Sequence, residues 1–169
     1  RYHNRVITAE SIKTDIQDYY DHDARFQQIF AELESGIYIF GHSHVQWNYR
    51  SKDGKKILVN PGSCGLPLDG ITGSLPYTII DIDDAGHVSV KERRIPYDTE
   101  EYIKVLVESD QFLKAKVWTK IIARELKTGR EHLFYFLQFA EKYAVEIGDT
   151  RRPFALDTWE TAYEIWSEK

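Results

Sequence analysis

The chain has 169 residues, 42% hydrophobic and 29% charged, with a formal net charge of −5. That suits one domain with a real core, or one domain plus an extension, and the acidic balance argues against a protein held on duplex nucleic acid by phosphate contacts. No stretch approaches the roughly 20 apolar residues of a membrane span, no signal peptide is visible, and Cys64 is the single cysteine, so no internal disulfide forms and a cytoplasmic location is the default expectation.

The first residues, "RYHNRV", carry no initiator Met, and no Met occurs anywhere in the sequence, so an internal fragment or a processed product is expected. Residues 9–35 read as mostly helical. Phe26, Ile29, Phe30 and Leu33 fall at i, i+3, i+4 and i+7, one face of a helix. Ser35-Gly36 is the expected stop, because glycine takes the left-handed C-terminal conformation without steric cost. Ile37–Phe40 then reads as a short buried strand. After the segment "GHSH", "VQWNYR" alternates Val45, Trp47 and Tyr49 with polar neighbours. Asp53-Gly54 marks a hairpin turn, "ILVN" at 57–60 resumes the strand, and Pro61-Gly62 breaks it. Residues 77–83 and 87–95, joined by "DAG", make a second hairpin.

From about Thr99 the apolar period changes to that of helices. Val117, Trp118, Ile121 and Ile122 mark one; Leu133, Phe136, Leu137 and Ala140 a second; Trp159, Ala162, Tyr163 and Trp166 a third. The expected organisation is an α/β part over residues 1–98 and a helical extension over 99–169. The extension has three candidate roles: a cap, a wall of a cleft, or a homo-oligomer contact. Trp118, Trp159 and Trp166 are expected in its core.

His42 and His44 stand one residue apart at the end of an apolar run. At i and i+2 on a strand two side chains share a face, and in a loop at a strand end both can turn toward one point. Gly41 lets the backbone bend tightly there, and strand-end loops are where α/β proteins usually keep their sites. Taken alone, H-x-H reads more simply as two ordinary histidines, one half-buried and hydrogen-bonded and one exposed. His22, His87 and His132 are expected on the surface. Cys64 is expected as a small packed residue, since no neighbouring base would activate it. Asn60-Pro61-Gly62-Ser63 reads as a strand end and a tight turn.

The order "FGHSHV", hairpin, "ILVNPGSCGLP" resembles the C-terminal half of the calcineurin-like metallophosphoesterases, and more narrowly their small bacterial phosphodiesterase branch. That branch carries G-H-[ST]-H, a short hairpin, then N-P-G-S and a glycine. The resemblance covers about Tyr2 to Tyr97 and ends on "IPYD". It implies the C-terminal half of a two-sheet α/β sandwich flanked by helices, with two divalent metal ions at the strand ends. By that resemblance His42 binds one metal and His44 the other. His3, in "YHN", is the candidate third ligand, sharing its metal with His42. Imidazole with carboxylate suits Mn, Fe or Zn.

The family's Asp-x-His, Gly-Asp-x-x-Asp and Gly-Asn-His motifs do not occur here. "GDTRRP" at 148–153 lies on the wrong side of the histidines, and "DHD" at 21–23 reads as a solvated helix face. The chain is therefore expected to be the C-terminal part of a larger enzyme, with no catalytic residue of its own. The implied activity is hydrolysis of a phosphodiester or nucleotide pyrophosphate by hydroxide activated on two metals. The implied substrate is a small phosphorylated molecule, a nucleotide such as a dinucleoside polyphosphate, with neither duplex nucleic acid nor membrane as partner. The alternative is a protein-binding scaffold of the same fold that has lost catalysis.

Overall fold

The computed structural model describes residues 8–168. Among them lie seven helices and two small sheets, a mixed α/β architecture. The chain divides into two compact units, Arg1–Tyr97 and Asp98–Lys169. No helix among the described residues is long and apolar enough to cross a membrane.

The first unit opens with helices α1 (Ala9–His22) and α2 (Ala24–Glu32). A capping box starts α1: Thr8 Oγ1 accepts from Ser11 N and Ser11 Oγ accepts from Thr8 N. This stretch was expected to be mostly helical, and Asp23 divides it into two helices. Its backbone N–H closes α1 on Tyr19 O, and its carboxylate accepts from Phe26 N at 2.7 Å to start α2. A short polar side chain that bonds its own backbone is a better cap than helix interior. The "DHD" segment is thus partly a cap, with Asp21 paired to Lys52 at 3.0 Å. The expected stop at Ser35-Gly36 is also displaced. The helix ends at Glu32, Leu33 turns extended (φ −65°, ψ 136°), and its side chain joins the core.

Strands β1 (Gly36–Ile39), β2 (Gln46–Arg50) and β3 (Lys56–Pro61) form a sheet in the order β1-β3-β2. β1 runs parallel to β3, with Ile39 opposite Val59, and β2 runs antiparallel to β3, with Trp47 opposite Asn60. Central β3 is buried from Ile57 to Asn60. β1 was expected to be buried, yet Ile39 is 66% exposed and Phe40 45%. It is an edge strand with one neighbour among the described residues. Phe30, Val45, Trp47 and Leu58 form the core, and Ile12 and Ile16 of α1 pack against it.

A second sheet pairs β4 (Ser74–Ile82) with β5 (Val88–Pro96) antiparallel. The buried side chain of Gln46 joins the two sheets, donating to Tyr77 O at 2.8 Å.

The second unit is helical: α3 (Thr99–Val107), α4 (Asp110–Lys114), α5 (Lys116–Thr128), α6 (Leu133–Glu146) and α7 (Leu156–Ser167). Its core gathers Val117, Ile121, Phe136, Ala140, Ala144, Phe154 and Ala162. Trp159 and Trp166 pack on that core, whereas Trp118 stands 44% exposed on α5. The helical period places Trp118 one step round from Val117, where it lines an open cavity with Leu137 of α6 and Leu156 of α7. Two carboxylates organise the turns. Buried Glu125 accepts from the backbone N–H of both His132 and Leu133 at 2.7 Å, serving as a remote cap for α6. Buried Asp149 accepts from Ala155 N, Thr158 Oγ1 and the Arg151 guanidinium.

Candidate functional site

Residues 40–45 cross from the end of β1 to the start of β2, beside the end of β3. Phe40 N bonds Val59 O at 2.8 Å, and the next residues leave the sheet. Ser43 N returns to Gly41 O at 2.9 Å, so the segment is a tight turn. His42 has φ 72° and His44 φ 57°. Left-handed backbone is uncommon for residues with a side chain, and two such residues around one serine hold conformational strain that surrounding contacts must balance. Strain of this kind clusters at functional sites.

Those contacts come from β3 and the chain after it. Asn60 is 1% exposed, and both ends of its side-chain amide are engaged. Nδ2 donates to Ser43 Oγ at 2.9 Å and to Gly41 O at 3.3 Å, while Oδ1 accepts from Gly62 N at 3.0 Å. A carbonyl can only accept and an N–H can only donate, so the amide has one consistent orientation. Ser63 Oγ then accepts from Leu66 N at 3.0 Å, turning the chain. Leu66 O lies 2.9 Å from His44 Nδ1, and Leu68 N bonds His44 O at 3.2 Å. Gly62 is needed here on two counts: its φ is 83°, and a Cβ would meet Pro76 Cγ at 2.6 Å.

The bond to Leu66 sets the tautomer of the neutral His44 ring. A carbonyl oxygen accepts only, so Nδ1 carries the proton and the neutral ring keeps its lone pair on Nε2. Metal-binding histidines are commonly held this way, donating one ring N–H to a backbone carbonyl and offering the other nitrogen to the ion. His44 is half-buried and His42 exposed.

The structure brings His42 and His44 onto one loop, and His3 lies outside the described residues. His22 and His87 are exposed, each against its own turn's aspartate: Asp18 at 3.1 Å and Asp83 at 2.9 Å. His132, expected on the surface, is half-buried at the start of α6. Its Nε2 is 2.9 Å from Thr128 Oγ1 and its ring stands edge-on to Trp166 at 6.1 Å. Burial first, then the Arg124 charge, holds its pKa below the ordinary value. Cys64, expected to be packed, is exposed, because the turn after Gly62 carries it outward.

Asn60 is the site residue that sequence reasoning passed over as a turn former. The signal was its place in "ILVN": asparagine is depleted in strands, so one closing a buried apolar strand needs hydrogen-bond partners.

Among the described residues no group of three or more His, Cys, Asp or Glu comes together. Two imidazoles on one loop, one with Nε2 available, suit Mn, Fe or Zn and fit such an ion as part of a ligand set. A cavity of about 480 Å³ in the first unit lies elsewhere, at the β2–β3 turn. Its lysines are engaged, Lys52 on Asp21 and Lys56 on Phe30 O. Comparison with models of known protein families gives no match, and comparison with curated proteins gives none either.

Proposed function

We propose that His42 and His44 are metal ligands of a metallophosphoesterase of the calcineurin-like kind, hydrolysing a phosphodiester or a nucleotide pyrophosphate. One observation carries this reading: two left-handed histidines share a loop pinned by Asn60, and His44 presents Nε2 with Nδ1 committed to Leu66 O. The sequence order around them, GHSH, hairpin and NPGS, resembles that of the family and supports the reading. The remaining donors of a two-ion centre, carboxylates above all, come from polypeptide outside residues 8–168, with His3 as one candidate.

Two bound divalent ions would supply Lewis acidity toward a phosphoryl oxygen and a lowered pKa for water. The residues present have the positioning task. The Leu66 carbonyl holds the Nδ1 proton of His44 and fixes the ring in direction. The turn closed by Ser43 N on Gly41 O keeps His42 and His44 on the same short arc. Dinucleoside polyphosphates are one substrate class that suits such a centre. Leu113, 81% exposed, and Leu156, 68% exposed, are the candidate self-association surface of the helical unit.

A second reading, a protein-binding scaffold, is favoured by the exposure of Ile39 and Phe40 immediately before the histidines. Hydrolysis of bis-p-nitrophenyl phosphate with added Mn²⁺ separates the two. The enzyme reading expects His44→Ala, in the protein as the cell makes it, to lose more than the about 10–100-fold typical of outer-shell partners. Equal rates in wild type and variant would remove the enzyme and leave the scaffold.

A further inference from the structure

We infer that Asn60 is the positioning residue of this loop, and that through it and the turn 60–66 the chain sets the His44 tautomer before any ion arrives. The inference rests on the reading of His44 as a ligand, and adds the device that makes it one. Three observations converge. Asn60 is buried at the end of β3, and its amide makes three hydrogen bonds, two of them to the turn that carries the histidines. Both histidines hold backbone conformations that a free loop would leave. The same turn, through Ser63 Oγ on Leu66 N, sets the carbonyl that receives His44 Nδ1.

Asn60 therefore acts at both ends of His44: on the backbone before it, through Gly41 and Ser43, and on the ring, through Gly62 and the segment leading to Leu66. A neutral histidine in water favours the proton on Nε2. Here the proton sits on Nδ1, against Leu66 O, which leaves Nε2 with a lone pair able to bind. Aspartate could not replace Asn60 although it has the same size. It keeps an acceptor for Gly62 N, but its second oxygen would face the Gly41 carbonyl with no proton to offer.

The experiment uses the ¹⁵N-labelled chain without metal, at a pH where histidine is neutral, and reads the ring nitrogens by long-range ¹⁵N–¹H correlation. The wild-type His44 is expected as the Nδ1–H form, and Asn60→Asp is expected to shift it toward Nε2–H. Ser43→Ala, at an exposed residue, removes the shorter Asn60 bond with little risk to folding and is expected to shift it part of the way. Mn²⁺ alone is then titrated, and broadening of the His44 ring signals is expected to need about 10-fold more ion in Asn60→Asp. An Nε2–H ring in wild type, or an unchanged tautomer and Mn²⁺ response in both variants, would overturn the inference. A shifted tautomer with no Mn²⁺ response in any form would uphold the positioning role and sink the metal reading.

Discussion

Asp69 and Arg94 form a two-pronged ion pair, Nη1 to Oδ2 at 2.9 Å and Nη2 to Oδ1 at 3.1 Å. The carboxylate side chain is 4% exposed and the guanidinium 21%. The pair ties β5 to the strap that bonds His44, since Leu68 N reaches His44 O immediately before Asp69. Asp69→Ala would leave a largely buried guanidinium bonded only to Ser74 Oγ. The expected loss is about 3 kcal/mol, the low end for breaking a buried pair because Arg94 is partly solvated. Urea unfolding followed by circular dichroism checks this. Adding Arg94→Met should recover part of the loss, and a single variant as stable as wild type would contradict the assignment.

Gly62→Ala tests the turn behind the histidines. The left-handed backbone alone costs about 1–3 kcal/mol for a residue with a Cβ. The 2.6 Å approach to Pro76 Cγ adds to it, because a proline ring cannot swing away. A lowered urea midpoint with the unfolding slope unchanged is expected. Gly54→Ala is the control, since its φ is 73° but a Cβ there meets nothing within 4 Å. Equal costs at the two positions would show that the contact with Pro76 is not tight.

Glu125 gives the helical unit a pH dependence. Burial raises its pKa from the ordinary 4.5 to about 7, against the opposing N–H bonds of Leu133 and His132. Between those values the unfolded chain releases the proton while the native chain keeps it, so this group's contribution to stability falls as pH rises from 4.5 to 7. Glu125→Gln keeps an oxygen for both N–H groups and has no charge to bury. It should match wild type near pH 4.5 and exceed it at pH 8 by about 3 kcal/mol. His132 works in the opposite sense, its contribution being lost as pH falls through its unfolded value of 6.5, and it cancels in the comparison. Parallel stability curves for the two proteins would refute this account.

Much of the fold is legible in the sequence where one period dominates. The alternation Val45, Trp47, Tyr49 gives β2, the Asp53-Gly54 turn gives the hairpin, and Phe136 with Ala140 gives α6. Legibility fails where one side chain overrides the period. Asp23 reads as helix surface and is a cap, and Leu33 leaves the helix to join the core. Ile37–Phe40 reads as buried because four apolar residues in a row carry no information on how many neighbours a strand has. The site is half legible. H-x-H names two ligand-type residues, but a chain of letters does not show that their backbone is left-handed or that Leu66, 22 positions on, receives a ring proton. Nor does it separate His132 on the surface from His132 against Trp166, since that depends on where α7 packs.

The most direct measurement is anomalous X-ray scattering from crystals of the protein grown with Zn²⁺. A zinc peak about 2.0–2.1 Å from His44 Nε2 is predicted, with His42 on the same or a neighbouring ion and the Nδ1 bond to Leu66 O retained. Zinc bound away from both rings, or His44 turned so that Nε2 meets protein instead of metal, would contradict the account.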